Sequence, residues 1–260
     1  MSVAVNPFKN TLMVWKALFL KDCLARFFGS RGAWAWLLIE PAVHIAGMAF
    51  IYALIRTNTM GGVPTQIWIM VGLVSFFLFR RTSVQVLHSI DCNRAFFAFR
   101  QIRPFDAAVC KGAVEAFSMF YVGIIIAVVF LFAGYDLTPA NVLTVLVGLT
   151  GLWLLGLGYG LISSVMMRMV PDSGFILQII MLPLMFISGA ILPIQVIPEP
   201  YLRYLLFNPI LHGIEKIRLG FWTGYHTVDV SLGYLYVWVV VLIVIGMALY
   251  RALETRLVRQ

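Results

Sequence analysis

Long apolar runs alternate with short polar connectors along this chain. Crossing the hydrocarbon core of a bilayer takes about 20 predominantly apolar residues. Six stretches reach that length: 32–55, 65–88, 112–133, 142–167, 175–194 and 229–250. The third, fourth and sixth are uninterrupted. The second meets Arg80 and Arg81 just after Phe79, so its last turns are expected outside the apolar core. The fifth runs into "SGAILPIQVIPEP", whose prolines cannot continue one straight helix. Six crossings place both termini on one side.

Two segments fit neither a span nor a loop. In residues 7–28, Phe8, Leu12, Trp15, Phe19 and Cys23 form one helical stripe bordered by Lys9 and Lys16. This predicts a helix in the headgroup plane with its lysines reaching outward, although Arg26 falls on the same stripe. Residues 193–228 are too apolar for a simple loop. "PEPYLRYLLFNPILHGIEKIRLGFW" reads as two short helices broken at "NP" that dip back into the outer leaflet. Irregular backbone at that depth needs protein or a wet cavity beside it. The expectation is an all-α integral membrane protein: an interfacial segment 1–31, one membrane domain 32–250 with six transmembrane helices, and a tail 251–260.

Composition agrees. Of the 260 residues, 62% are hydrophobic and 12% charged, against about 45–50% and 25% in soluble domains. The net charge of +8 reflects placement rather than affinity for nucleic acid. Lys9, Lys16, Lys21, Arg26, Arg31, Arg80, Arg81, Arg94, Arg100, Arg103, Lys111, Arg168, Arg251, Arg256 and Arg259 fall on one face of the six-span plan. Only Arg56, Arg203, Lys216 and Arg218 fall on the other. The positive-inside rule then makes the richer face, with both termini, cytoplasmic. Cys23, Cys92 and Cys110 match no metal or redox spacing and read as unpaired thiols in a reducing compartment. No cleavable signal is expected, because the first apolar run follows a basic segment and lacks a small-residue cleavage site.

The charges concentrate in one connector, "DCNRAFFAFRQIRPFDAAVCKG" at 91–112. Phe96, Phe97, Phe99 and Phe105 beside Arg94, Arg100 and Arg103 give apolar knobs with a charged rim. Two readings compete: a membrane-surface helix with arginines on lipid phosphate, or a docking helix for a cytoplasmic partner, since aromatic and Arg anchors dominate interfaces. None of the five lysines follows a glycine, so no G-x-x-x-x-G-K-[ST] loop is present. If nucleotide powers this protein, another polypeptide binds it.

"NRAFFAFRQIRPFD" resembles the connector of ABC-2-type exporter permeases, specifically the capsular polysaccharide export subunit. "SRGAWAWLLIEPAVHI" at 30–45, "FFLFRR" at 76–81 and "FNPILHGIEKIRLGFWTGY" at 207–225 fit the same family. A departure is "GAWAW", where such families often carry Gly-Tyr-x-Trp. The resemblance implies a homodimer joined by two copies of a separate ATPase that binds ATP and Mg, this chain holding no cofactor. Residues 91–103 would be the coupling helix, with Asn93, Arg94, Phe96, Phe97, Arg100, Arg103 and Asp106 as its contacts. It further implies export of lipid-linked acidic polysaccharide across a bacterial inner membrane to a periplasmic adaptor of the polysaccharide co-polymerase type and an outer-membrane channel. O-antigen or teichoic-acid-type polymers are alternatives.

Polar residues inside the apolar runs are functional candidates by default. Glu40 and His44 share a helical face across Pro41: either they satisfy each other or a neighbouring helix, or they line a substrate path. Arg31, Trp34 and Trp36 at the mouth of that span form either an ordinary interfacial belt or a place where Arg31 meets substrate anion and the indoles meet sugar rings. Asn208, His212, Glu215 and Arg218 form a stripe that reads as a salt-bridged surface rim, or as a gate or adaptor contact. No metal site is expected. An enzyme of lipid-linked sugars using Glu40, His44 or His212 is the reading from another class, and lacks an accompanying nucleophile. Gly156, Gly160 and Ser164 recur every four residues and predict close helix packing. Glu115 is expected to pair with Lys111.

Overall fold

The computed structural model describes residues 7–29, 32–55, 59–99, 101–225 and 227–258. Helix α1 (Pro7–Phe28) is followed by α2 (Ala33–Leu54), a two-residue hairpin β1 (Thr59–Met60) and β2 (Val63–Pro64), then α3 (Thr65–Leu87) and α4 (Ser89–Cys92). A 3-10 turn (Arg94–Ala98) leads to α5 (Pro104–Phe132), α6 (Val142–Met169), α7 (Ser173–Ile179) and α8 (Met181–Ile187). After a second 3-10 turn (Ile194–Val196) come α9 (Glu199–Leu205), α10 (Pro209–Phe221) and α11 (Leu232–Val258). The strands pair antiparallel through Gly61 and Gly62, at φ 57° and 84°, the left-handed region that a tight two-residue hairpin demands.

Among the described residues, five helices, α2, α3, α5, α6 and α11, are long and apolar enough to cross a membrane. The run expected at 175–194 differs. Its apolar helix covers only Ser173–Ile187, roughly 22 Å at about 1.5 Å per residue, and is kinked between α7 and α8. Pro183 explains the kink: it offers no N–H to Ile179 and its ring crowds that carbonyl. Gly189, at φ 70°, then turns the chain away. Helix α11 continues past 250 to Val258. The break at "NP" holds, with Asn208 capping α10 and Pro209 at its first position.

Helix α3 is the hub. Trp68, Ile69, Leu73, Phe76 and Phe77 have no exposure at all. Its closeness to α6 rests on the small-residue stripe: a Cβ on Gly156 would lie 2.7 Å from the Phe79 carbonyl oxygen, and one on Gly160 would lie 2.6 Å from the Val86 Cβ. These glycines therefore serve packing within one chain. Gly158, on another face of α6, does the same against Leu242 of α11. Helix α10 packs against α3, α6 and α11, so the segment between α8 and α11 is part of the body.

Candidate functional site

Three polar assemblies interrupt this apolar body. At the end where the connector lies, α1 is clamped onto it. Asn93 is fully buried; its amide donates to the Ser89 carbonyl (2.9 Å) and its oxygen accepts from Lys21 Nζ. Lys21 also stands 4.5 Å from the centroid of the Phe96 ring. Trp15 Nε1 donates to Asp106 Oδ1 at 2.8 Å, and Asp106 Oδ2 caps the start of α5 by accepting from the Arg103 amide at 3.2 Å. Asp22, 4% exposed, pairs with Lys21 (3.0 Å) and Lys111 (3.7 Å), and Arg26 pairs with Glu115 (2.9 Å). The expected Lys111–Glu115 pair is therefore corrected: each group reaches across to α1 instead. On the face of α1 toward the body, Leu18 and Asp22 are buried while Leu12 is 58% exposed, and ion pairs as well as apolar area hold that face. The Phe8 side chain lies outside the described residues.

These contacts sort the expected coupling residues. Asn93 and Phe97 are buried, Phe97 among Ile90, Leu161 and Tyr250, and Asp106 faces Trp15. They hold the connector to the body rather than presenting it. Phe96 is half-buried under Lys21. The outward residues are Arg94, Phe99 and Arg103, with Phe99 63% exposed. Arg100 lies outside the described residues. A groove of about 390 Å³ runs between Val14, Leu18 and Lys21 of α1 and Phe96, Phe99 and Ile102 of the connector.

The second assembly joins α2 to α3. Pro41 supplies no amide hydrogen to the Leu37 carbonyl, and Arg81 Nη2 takes its place, donating to Leu37 O at 3.2 Å and to Glu40 Oε2 at 2.7 Å. Arg80 Nη1 donates to Glu40 Oε1 at 3.2 Å. Glu40 is thus answered by two arginines of the neighbouring helix. His44 Nδ1 donates to the Glu40 backbone carbonyl (2.8 Å), and its ring meets Phe77 edge-on with centroids 5.3 Å apart. Helix α3 runs on past Arg80 and Arg81 to Leu87, close to the expected 65–88, with Arg81 only 7% exposed. Trp34 and Trp36 stand outward on α2, both more than half exposed. Arg31 lies outside the described residues.

At the hairpin end is the third assembly. Arg218 lies with its guanidinium 3.5 Å from the Trp68 ring centroid and donates to Glu215 Oε1 and to the carbonyls of Gly189 (2.8 Å) and Ala190 (3.1 Å). Glu215 Oε2 accepts from the Tyr225 hydroxyl (3.0 Å) and from Thr227 Oγ1 (2.6 Å). Tyr225 in turn accepts from Trp68 Nε1 (2.9 Å) and Gln195 Nε2 (3.1 Å). Burial raises the Tyr225 phenol above its ordinary pKa, an effect the nearby Arg218 opposes, so the hydroxyl keeps its proton and serves as a donor. Glu215 and Arg218 have no exposure, which corrects the surface-rim expectation: the pair ties the irregular stretch after α8 to the hub. Gly72 makes this possible, since a Cβ there would lie 2.1 Å from Arg218 Nη2 and 2.4 Å from the Ala190 carbonyl oxygen. His212 is held at both ring nitrogens, Nε2 donating to Leu206 O (2.8 Å) and Nδ1 accepting from the Ser231 amide (3.0 Å). Asn208 caps α10 through the Ile210 amide at 3.0 Å.

Comparison with known proteins decides the family. The family model described as ABC-2 type transporter matches residues 13–222. The chain belongs to that family. It is 31% identical over 252 residues to the polysialic acid transport protein KpsM of Escherichia coli, covering 97% of this chain and 98% of that one. It is 22% identical over 248 residues to the capsule polysaccharide export inner-membrane protein CtrC of Neisseria meningitidis (94% and 93%), and 21% identical over 250 residues to BexB of Haemophilus influenzae, which bears the same description (95% and 94%). Five spanning-length helices among the described residues accord with that family.

Proposed function

We propose that this chain is the channel-forming subunit of an ATP-driven exporter of lipid-linked capsular polysaccharide in a bacterial inner membrane. The carrying observation is the 31% identity to a polysialic acid transport protein across 97% of the chain. ATP and Mg are bound by two copies of a separate ATPase, and two copies of this chain form the channel. The kinked α7–α8 pair serves as the sixth crossing, with α9 and α10 re-entering beside it. Both termini and the connector then face the cytoplasm. There the ATPase sits on the exposed Phe99, Arg94 and Arg103, beside the groove against α1. Because Lys21, Trp15, Asp22 and Arg26 clamp α1 to the connector and to α5, a push on the connector moves these elements as one. A periplasmic adaptor and an outer-membrane channel receive the polymer on the far side.

Co-purification tests this. The chain, co-expressed with the ATPase of its own transport system, should bring that ATPase through detergent purification. Phe99→Ala with Arg103→Glu should abolish the association while the permease still elutes as a folded species, and cells carrying the variant should retain acidic polymer inside. Full association and normal export by the double variant would remove the connector from the interface.

A further inference from the structure

The Glu40 assembly has an unequal charge count. Two guanidinium groups face one carboxylate, and the two arginines are not equivalent. Arg81 is used up, 7% exposed and bonded to Glu40 and the Leu37 carbonyl. Arg80 spends one N–H on Glu40, and its side chain is 35% exposed. A guanidinium carries five N–H donors, and among the described residues no other hydrogen bond of Arg80 accompanies the Glu40 contact. Its position is well inside the body. Seven residues separate Arg80 from the end of α3 and seven separate Glu40 from the start of α2, about 10 Å in each case at about 1.5 Å per residue. A surplus cation in a bundle read as membrane-spanning is expensive and faces a polar route or a counter-ion.

Aromatic rings neighbour Arg80. Its guanidinium carbon lies 5.7 Å from the Phe77 ring centroid, and the His44 ring meets that same phenyl group at 5.3 Å. His44 Nδ1 is committed to the Glu40 carbonyl. Glu40 engages one terminal nitrogen of the guanidinium, and the side chain keeps 35% exposure.

We propose that Arg80 is an anion-binding position in the membrane-embedded part of this permease, taking a carboxylate or phosphate oxygen pair on its open edge. The inference rests on the exporter reading for the identity of the passing anion, an acidic sugar or the phosphate of its lipid anchor. A phospholipid headgroup offers the same chemistry. Arg80 is suited to transient binding because Glu40 offsets part of its charge. A fully unpaired arginine would hold an acidic polymer too tightly for it to move on.

The test uses the full-length chain in phosphatidylcholine nanodiscs, titrated with a sialic acid octamer and with maltooctaose as the neutral control. A parallel arm counts phosphatidylglycerol molecules retained from mixed membranes by native mass spectrometry. Arg80→Gln should weaken octamer binding about tenfold, the scale of one charge-assisted hydrogen bond, with maltooctaose unchanged. A loss confined to phosphatidylglycerol retention would support the anion site and assign it to a headgroup. If the native chain then bound no octamer, the exporter reading would fall while Arg80 stood. Unchanged octamer affinity and unchanged lipid retention in Arg80→Gln would overturn the proposal and leave the exporter reading intact. Should Arg80→Gln misfold, Arg80→Lys, which keeps charge but loses the planar fork, is expected to lose about threefold in octamer affinity; no change would overturn the site equally.

Discussion

Two glutamate–arginine assemblies sit at opposite ends of α3, built from the same residue types and put to different uses. At the hairpin end, Glu215 and Arg218 balance one charge with one. Every oxygen of Glu215 is engaged, and Arg218 satisfies two carbonyls of the irregular stretch after α8. At the connector end, Arg81 plays the matching structural part, meeting the carbonyl that Pro41 leaves unpaired. Beside it stands Arg80, a second cation with a partly open side chain. The difference teaches that burial of a charge inside a membrane protein is a poor guide to function unless charge balance and exposure are counted together. A balanced, fully buried pair is architecture; a surplus, partly exposed cation has capacity left for a ligand.

Breaking the balanced pair should have the largest effect. Glu215→Gln keeps the shape but leaves Arg218 buried without a counter-charge, which costs about 3–5 kcal/mol. Thermal unfolding in detergent should show a large drop in midpoint or no folded protein at all; a native-like midpoint would show that the pair is dispensable. Gly72→Ala tests the same region without touching charge. Its methyl group would collide with Arg218 and the Ala190 carbonyl, and overpacking of this kind costs about 1–3 kcal/mol, read by the same assay. Arg80→Gln should be the mildest, within about 1 kcal/mol of the native chain, as for a partly exposed ion pair. A large loss of stability there would place Arg80 with the architecture and erase the contrast between the two ends.

The sequence foretold these features unevenly, for physical reasons. Spanning-length helices were legible because apolar length is a local property, and so were the "NP" break and the close-packing stripe at Gly156 and Gly160. The connector stood out by composition. What was hidden depends on how helices register against one another. Lys111 and Glu115 lie four apart on α5, the spacing of a local pair, yet each finds a partner on α1 instead. The partner of Arg80 and Arg81 was hidden because nothing local supplies it; it lies on α2. Asp22 and Tyr225 were missed as anchors altogether. A lone acid on an otherwise apolar and basic helix, and a tyrosine in "GFWTGY" close behind Glu215 and Arg218, were the available signals. Pro183 was an available signal for the kink in the fifth apolar run, whose break was expected only later, at "SGAILPIQVIPEP".

Orientation of the connector is the claim on which the exporter mechanism turns, and Cys92 reports it directly. Cys92 is exposed, Cys110 is buried and Cys23 is half-buried. Cells carrying Cys23→Ala and Cys110→Ala, with Cys92 kept, can be treated with a membrane-impermeant maleimide after the outer membrane alone is made permeable. Cys92 should remain unlabelled until the inner membrane is opened, then react readily. Labelling with the inner membrane intact would put the connector on the wrong side for an ATPase and contradict the mechanism.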